Sequence, residues 1–258
     1  MATQAELIAA AEGSAAPGSR RLERGLLITF EGGEGTGKTT QVERLAGKLQ
    51  SCGFIVHTAR EPGGTQLGEY VRTWIKRETG TSALAETLLF SAARAELVSA
   101  LIRPKLKNGE VVVLDRFTDS TLAYQGYGRG MSLKKIAELN EIATGGLTPD
   151  LTVFLDLDPE KALQRVDTRP SLFDNAGPET SQKRVDPENE RRFERASLAF
   201  HRKVLNGYRK LAAEKGRWCV VRADQAQHRV ADAIWKRVAR LFADQGFDLS
   251  ESPRYSAK

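Results

Sequence analysis

Five short segments of the chain are nearly continuous in apolar residues. They cover residues 26–30, 54–58, 111–114, 151–155 and 218–221. Strands that lie between two layers of helices have this unbroken apolar pattern, whereas strands with one face in water alternate apolar and polar residues. The pattern therefore predicts five buried strands in a parallel sheet.

The segments between these strands have the apolar spacing of helices. Two examples are Val42, Leu45, Ala46 and Leu49 in one segment, and Leu84, Leu88, Leu89 and Ala92 in another. Strands and helices therefore alternate along the chain. This order is typical of an α/β fold in which helices cover both faces of a parallel sheet.

One stretch interrupts the alternation. Residues 168–190 contain three prolines, a glycine and several charges (Pro170, Gly177, Pro178 and Pro187). A long segment of this composition is poorly suited to a regular element and is expected to be a mobile excursion. Because excursions over an α/β core are often lids, we expect a mobile lid over about 168–192.

Length and the chain ends refine this outline. The 258 residues, 40% of them hydrophobic, suit one domain with a substantial core, which we place at 25–243. Residues 1–24 are expected to form a disordered extension, and residues 244–258 a loose tail. The alternative for the N-terminus is a mitochondrial presequence, which three arginines favour and two glutamates oppose (Arg20, Arg21, Arg24, Glu6 and Glu12).

Charge and cysteine content bear on the class of protein. The net charge of +6 suits an anionic ligand such as a phosphate compound but is too weak to indicate nucleic-acid binding. No apolar stretch approaches the roughly 18 to 20 residues of a membrane span. Cys52 and Cys219 lie far apart without further ligands at metal-binding spacing, so neither a disulfide nor a zinc site is expected. We predict a cytoplasmic protein that binds neither nucleic acid nor membrane.

The strongest chemical signal is a glycine-rich loop between the first predicted strand and the first helix. It consists of Gly32, Gly33, Glu34, Gly35, Thr36, Gly37, Lys38 and Thr39, followed by Thr40. This segment fits the phosphate-loop pattern G-x-x-x-x-G-K-[ST]. In such a loop the backbone N–H groups surround phosphate oxygens, Lys38 bridges the transferring phosphate, and the Thr39 hydroxyl can bind Mg²⁺.

A second metal anchor is expected at the end of another buried strand. Asp115 follows the apolar segment 111–114 directly, and capping of the next helix is its alternative role. The loop and this carboxylate predict that the protein binds a nucleoside triphosphate. A regulatory GTPase is disfavoured because no Asn-Lys-x-Asp or Asp-x-x-Gly signature follows the loop, so a small kinase remains.

Four further segments occur in order along the chain. They are Arg60-Glu61-Pro62-Gly63-Gly64-Thr65, Leu89-Phe90-Ser91-Ala92-Ala93-Arg94, Asp115-Arg116-Phe117 with Ser120-Thr121-Leu122-Ala123-Tyr124-Gln125-Gly126, and Pro149-Asp150-Leu151. Together with the loop they closely resemble bacterial thymidylate kinases over residues 25–243. The resemblance implies a P-loop kinase fold with a five-stranded parallel sheet, a homodimer, and transfer of phosphate from ATP to dTMP with Mg²⁺, giving ADP and dTDP.

The resemblance also implies roles around the acceptor. Glu34 matches the acidic residue that meets the sugar 3′-hydroxyl of dTMP. Arg60 and Arg116 match the arginines at its phosphate, where a guanidinium fork can hold two oxygens. Tyr124 matches a residue that crowds the sugar 2′ position, with ordinary packing as its alternative role. For Arg60, the alternative is a solvated charge pair with Glu61.

The remaining implied roles concern the two bases. Phe90 and Arg94, four residues apart on one helix face, match the pair that stacks on thymine and hydrogen-bonds its edge. Thr121 and Gln125 match positions that line the same base. Arg165 matches an arginine against the ATP adenine. The alternatives are an ordinary core aromatic for Phe90 and an ordinary surface position for Arg165.

Catalysis within this family also needs positive charge near the transferred phosphate, in addition to Lys38 and Arg116. Some members carry it inside the phosphate loop, where this chain has Gly35, and others carry it in the lid. The lid pattern Asp-Arg-x-Glu reads Arg191-Arg192-Phe193-Glu194 here, so Arg192 is the implied catalytic residue although the preceding acid has become a base. Other basic candidates nearby are Lys183, Arg184, Arg191 and Arg195.

Two alternative functions stay open at this point. One is a kinase for another monophosphate, such as dUMP, dCMP or a purine nucleotide. The other is a non-kinase ATPase or nucleotide switch, which would lack an acceptor site. The pair Phe90 and Arg94 and the segments around Arg60 and Arg116 favour the kinase, because they supply such a site.

Overall fold

The computed structural model describes residues 20–77, 80–167, 197–214 and 216–249. Its centre is a sheet of five parallel strands in the order β2-β3-β1-β4-β5, which confirms the predicted fold class. The strands are β1 Leu26–Glu31, β2 Val56–Arg60, β3 Val111–Asp115, β4 Leu151–Asp156 and β5 Trp218–Arg222. Each strand ends one or two residues beyond its predicted end, and the last residue of each is charged.

The helices alternate with the strands, as predicted. They are α1 Lys38–Ser51, α2 Gln66–Arg77, α3 Ala83–Leu97, α4 Arg103–Lys107, α5 Thr118–Thr121, α6 Leu133–Thr144, α7 Pro159–Asp167, α8 Leu198–Ala212 and α9 Gln227–Ala243. Two π-helical segments, Val98–Ile102 and Leu122–Gly128, continue α3 and α5. The predicted lid over 168–192, with Arg192 and the other basic candidates, lies outside the described residues.

Alternate residues of the central strands supply the two halves of the core. Leu26, Ile28 and Phe30 of β1 pack in one cluster with residues of α1 and α9, while Leu27 packs on the opposite side with Leu97 of α3. Strands β1, β3 and β4 are almost entirely buried. The prediction of burial on both faces is wrong for β2 and β5, because these strands lie at the two edges of the sheet.

Two helices were predicted from apolar spacing, and the structure contains both. In α1 the four predicted positions are buried, so its apolar face is the packed face. In α3 the relation is reversed, since Leu84 and Leu88 are exposed, whereas Glu86 and Arg94 are buried. The sequence therefore predicted this helix correctly and its buried face wrongly. The reason is that α3 directs Arg94 into a cavity and Glu86 into buried contacts with Gln125 and Arg129.

The packed part of the chain extends beyond 25–243 at both ends. The amide of Arg20 donates to the carbonyl of Gly53 over 2.8 Å, and Leu22, only 4% exposed, donates to Gly109 over 2.9 Å. At the other end Leu249 is buried. The predicted N-terminal extension and C-terminal tail therefore each include residues that pack on the domain. Residues 1–19 and 250–258 lie outside the described part.

The described ranges contain no helix that has both the length and the apolar composition needed to cross a membrane.

Removing residues 20–24 should lower the thermal stability of the domain. Burial of one leucine side chain contributes about 2 kcal/mol, and a change of 1 kcal/mol shifts the melting temperature of a domain of this size by about 2–4 °C. A variant lacking residues 1–24 should therefore melt roughly 4–8 °C below one lacking residues 1–19. Differential scanning calorimetry of the two truncations measures this difference, and equal melting temperatures would contradict the packing role of the segment.

Candidate active site

A cavity of about 620 Å³ opens at the carboxyl ends of β1, β2 and β3. This edge of a parallel α/β sheet is where such folds bind their ligands. The cavity brings together most of the residues predicted from sequence, which are Glu34, Gly35, Gly37, Lys38, Thr39, Thr40, Arg60, Phe90, Arg94, Asp115, Arg116, Thr121, Tyr124 and Gln125. Gly32, Gly33 and Thr36 belong to the same loop but do not line the cavity.

The phosphate loop is held in shape by glycine conformations and by Lys38. Gly32 has φ +141°, and a Cβ atom there would lie 2.8 Å from the carbonyl oxygen of Leu155. The ammonium of Lys38 donates to the carbonyls of Gly32 and Gly33 over 3.2 and 2.8 Å. Helix α1 begins at Lys38 with no side chain capping its first turn. Its N–H groups and the positive end of its dipole are therefore available to an anion.

Two oxygen ligands suited to a divalent cation meet beside this loop. The hydroxyl of Thr39 donates to the carboxylate of Asp115 over 2.7 Å. Hydroxyl and carboxylate oxygens are the hard ligands that Mg²⁺ prefers, and Mg²⁺ is usually bound by few protein groups together with water and phosphate. In the described ranges no cluster of three or more His, Cys, Asp or Glu could hold a metal ion. The pair therefore fits Mg²⁺ in company with a nucleotide.

Arg116 and Glu34 form the centre of the cavity. Their side chains pair at 2.6 Å, and the hydroxyl of Tyr124 donates to the same oxygen of Glu34 over 2.9 Å. Burial by itself would raise the pKa of Glu34, but the positive charges of Arg116 and Lys38 outweigh it and lower this pKa to about 2. Glu34 is therefore an ionised hydrogen-bond acceptor at neutral pH.

A buried carboxylate, Glu31, lies beneath this pair. Its two oxygens accept hydrogen bonds from the amide of Phe117 at 2.8 Å and from the hydroxyls of Ser120 and Tyr208 at 2.6 and 2.9 Å. Burial is the main cause that raises the pKa of Glu31 to about 7, and the nearby carboxylate of Asp119 adds to it. Sequence analysis missed Glu31, although a glutamate ending an apolar strand was a visible signal.

The cavity contains a further arginine that sequence analysis missed. Arg72 of α2 lines the cavity with Arg60 and Arg116. Burial, and then the positive charge of Arg60, lower the pKa of Arg72. Burial and nearby positive charge destabilise the charged form of Arg72, so binding of an anion here would be favourable. The signal in the sequence was the position of Arg72 beside Val71 and Ile75, the residues of α2 that face the core.

Arg60 itself is about half exposed and pairs with Glu69 at 3.3 Å. The solvated Arg60–Glu61 pair considered from sequence is not present, because Glu61 is buried and pairs with Arg94. Burial raises the pKa of Glu61 in spite of the charge of Arg94. Glu61 is therefore part of the buried interior of the cavity, and Arg60 lies at its exposed opening.

Arg94 is 2% exposed and already makes several hydrogen bonds. Its Nε and Nη2 donate to one oxygen of Glu61, at 2.9 and 2.7 Å, and Nη2 also donates to Thr121 at 3.0 Å and to the carbonyl of Phe117 at 3.2 Å. Its Nη1 donates to Asn140 at 2.7 Å. A guanidinium has five N–H donors. One N–H on Nη1 has no acceptor within the described part of the chain. The predicted contact of Arg94 with a base edge can therefore use this one donor.

The other predicted residues divide between the cavity and its surroundings. Phe90 lines the cavity and also packs against Val71, Ile75 and Ala93, so both of its proposed roles are compatible with its position. Tyr124 is packed against Phe200 and Tyr208 through its ring while its hydroxyl binds Glu34. Arg165 does not line this cavity. Its guanidinium donates to the carbonyl of Ala223 after β5, over 2.9 Å.

The fold and the loop define a P-loop phosphotransferase, with a second binding region directly beside the phosphate loop. The family model of thymidylate kinase matches residues 30–234. The chain is 44% identical over 219 residues to the thymidylate kinase of Solidesulfovibrio magneticus, covering 84% of this chain and 100% of that protein. It is equally identical over 220 residues to the enzyme of Deinococcus radiodurans, covering 84% and 98%.

A solved structure gives the same result. The crystal structure of thymidylate kinase from Ehrlichia chaffeensis superposes with a TM-score of 0.63 at 30% sequence identity, covering 83% of this chain and 99% of that one. The chain belongs to the thymidylate kinase family and is a kinase.

Glu31→Gln should change how stability depends on pH. The pKa of Glu31 in the folded protein, about 7, lies above the 4.5 of an exposed glutamate, so the folded state retains a proton that the unfolded chain releases. The free energy of unfolding of the wild type should therefore fall as the pH rises from about 4.5 to 7, and the variant should lack this contribution.

Urea denaturation of both proteins between roughly pH 5 and pH 8 measures this effect. The stability of Glu31→Gln relative to wild type should improve with rising pH. Glu138→Gln, at an exposed position of α6, is the matched control and should keep a constant difference from wild type. A constant difference for Glu31→Gln as well would contradict the raised pKa.

Proposed function

We propose that this protein transfers the γ-phosphoryl group of ATP to dTMP, giving ADP and dTDP for dTTP synthesis. The observation that carries the proposal is that one cavity contains both the phosphate loop and a region lined by the ring of Phe90 and by four arginines. A nucleotide switch or simple ATPase has no use for this second region. Membership of the thymidylate kinase family supports thymine as the base.

The donor side is the phosphate loop. Lys38 and the N–H groups at the start of α1 bind the phosphates of ATP, and Arg165 lies against the adenine. Thr39 and Asp115 would hold Mg²⁺, whose oxygen ligands they match, and the ion supplies positive charge to the donor phosphates when it is bound.

The acceptor side begins at Arg116. Arg116, Arg60 and Arg72 bind the phosphate of dTMP, because guanidinium groups suit paired phosphate oxygens. Glu34 accepts a hydrogen bond from the sugar 3′-hydroxyl, and Tyr124 crowds the 2′ position. Phe90 stacks on thymine, and Arg94, Thr121 and Gln125 line the base.

The reaction needs no general base. A phosphate monoester has a second pKa of about 6, so the acceptor oxygen is largely unprotonated at neutral pH. The work of the protein is to align two mutually repelling anions and to stabilise charge on the transferred group. Lys38 and Arg116 supply positive charge from the described residues. Because the loop has Gly35 where a basic residue could stand, we assign the further charge to Arg192.

We also propose that the protein is a homodimer in the cytoplasm. Helices α2 and α3 are adjacent and expose five large apolar side chains, which are Leu67, Tyr70, Trp74, Leu84 and Leu88. Contiguous exposed apolar surface of this kind marks an interaction site. A second copy of the chain is the partner that the family resemblance implies. The two cysteines are free thiols, which suits a reducing compartment.

The proposed reaction is tested by ADP release from ATP with dTMP, dUMP, dCMP, UMP or dGMP, and without an acceptor. We expect the highest kcat/KM for dTMP and little release without an acceptor. Lys38→Ala removes charge that stabilises the transferring phosphate, so turnover should fall by at least roughly 10²-fold. Equal hydrolysis with and without acceptor would indicate an ATPase, and a higher kcat/KM for another monophosphate would identify a different kinase.

The proposed dimer is tested by placing a charge on its surface. Trp74→Glu should shift the protein from dimer to monomer in analytical ultracentrifugation, because a buried unpaired carboxylate opposes association. Val220→Glu, on the exposed face of β5, is the control and should remain dimeric. A wild-type protein that is monomeric at micromolar concentration, or a dimeric Trp74→Glu variant, would contradict this interface.

A further inference from the structure

The side-chain amide of Gln125 makes a hydrogen bond to a buried carboxylate that has no role in the proposed reaction. The Nε2 atom of Gln125 donates to Oε1 of Glu86 over 2.9 Å. Gln125 is 1% exposed, and Glu86 on α3 is fully buried. Arg129 lies at 3.0 Å from the same carboxylate and neutralises its charge. The contact is therefore a charge-assisted hydrogen bond in a dry environment, which is among the stronger kinds.

This contact determines which way the amide of Gln125 points. An ionised carboxylate only accepts hydrogen bonds, so it must face the NH₂ group of the amide and not the oxygen. The oxygen of Gln125 is then the polar atom that remains for the cavity, which Gln125 lines together with Arg94.

Gln125 and Arg94 thus offer an acceptor and a donor to a base, in a cavity that also contains the unpartnered Oε1 of Glu61. The acceptor is the oxygen of Gln125, and the donor is the free N–H of Arg94. The edge of thymine has the complementary pair, an N3–H donor next to the O4 acceptor. Cytosine has the reverse, an N3 acceptor next to an amino donor. A cytosine in this position would place acceptor against acceptor and donor against donor.

We propose that Glu86 is a positioning residue for base selection. By holding the amide of Gln125, it keeps the acceptor oxygen toward N3–H and thereby makes the site select thymine over cytosine. This inference rests on the proposed function, since it concerns how the same site recognises dTMP.

The test is the ratio of kcat/KM for dTMP to that for dCMP, measured on the full-length protein. Glu86→Gln keeps the shape of the side chain. A glutamine can either accept or donate a hydrogen bond, so it no longer holds the amide of Gln125 in one orientation. A site built for one hydrogen-bond pattern rejects the wrong pattern by several orders of magnitude. We expect Glu86→Gln to lower the ratio by at least roughly tenfold. Glu96→Gln, further along α3, is the matched control and should keep the wild-type ratio.

A double-mutant cycle separates positioning from a general structural role. If Glu86 acts through Gln125, then Glu86→Gln should not lower the ratio further in a Gln125→Ala background. An equal loss in both backgrounds would overturn the proposal, as would an unchanged ratio in the single variant.

Binding of a dTMP analogue with C–H in place of N3–H tests the same contact in the wild type, independently of whether any variant folds. Binding of this analogue as tight as that of dTMP would show that the oxygen of Gln125 does not read N3–H. A different result would reject the proposed function itself, namely a wild type that does not use dTMP as its preferred acceptor. Wild-type preference for dTMP with an unaltered ratio in Glu86→Gln would reject only the role of Glu86.

Discussion

The position of Arg116 is the constraint on which the cavity depends. Within the described part of the chain, Arg116 is the non-glycine residue with a positive φ, 74°. Such a conformation costs of order 1–3 kcal/mol and persists only when its surroundings enforce it. The amide of Arg116 donates to Phe30 and the next amide donates to Glu31, both at the end of β1. Arg116 is thus anchored to the strand that leads directly into the phosphate loop, so Arg116 and the loop share one support.

The second organising feature is the balance of charge in the cavity before any ligand binds. Arg116 is paired with Glu34, Arg60 with Glu69, and Lys38 with backbone carbonyls. Burial is the first cause that lowers the pKa values of Lys38 and Arg72, and a neighbouring arginine lowers each of them further. Within the described residues, Lys38 and Arg72 donate to backbone carbonyls and not to carboxylates, so their positive charges remain available to a ligand. Phosphate groups can complete this balance, which explains how a site can bind two anions that repel each other.

The parts of the site that sequence analysis predicted are those whose chemistry lies in contiguous motifs. The phosphate loop, Asp115 and Arg116 all follow strands, and strands of a parallel sheet end at one edge, so their meeting could be foreseen. Arg72 and Glu86 lie inside helices, where spacing alone does not tell which face meets a cavity. Likewise, the composition of residues 20–24 indicated disorder, and only the backbone bonds to Gly53 and Gly109 show that this segment is packed.

In helix α3 the apolar pattern predicted the wrong buried face for a physical reason. Its exposed side includes Leu84 and Leu88, and its buried side includes Glu86 and Arg94. Rotating the helix would bury the leucines, but it would break the bonds of Glu86 to Gln125 and Arg129, and would leave the partners of Arg94 unpaired in a dry interior. Loss of buried charge-assisted bonds costs more than exposure of two leucines. The polar contacts therefore set the orientation of α3, and its apolar residues Leu84 and Leu88 are left on the outer surface.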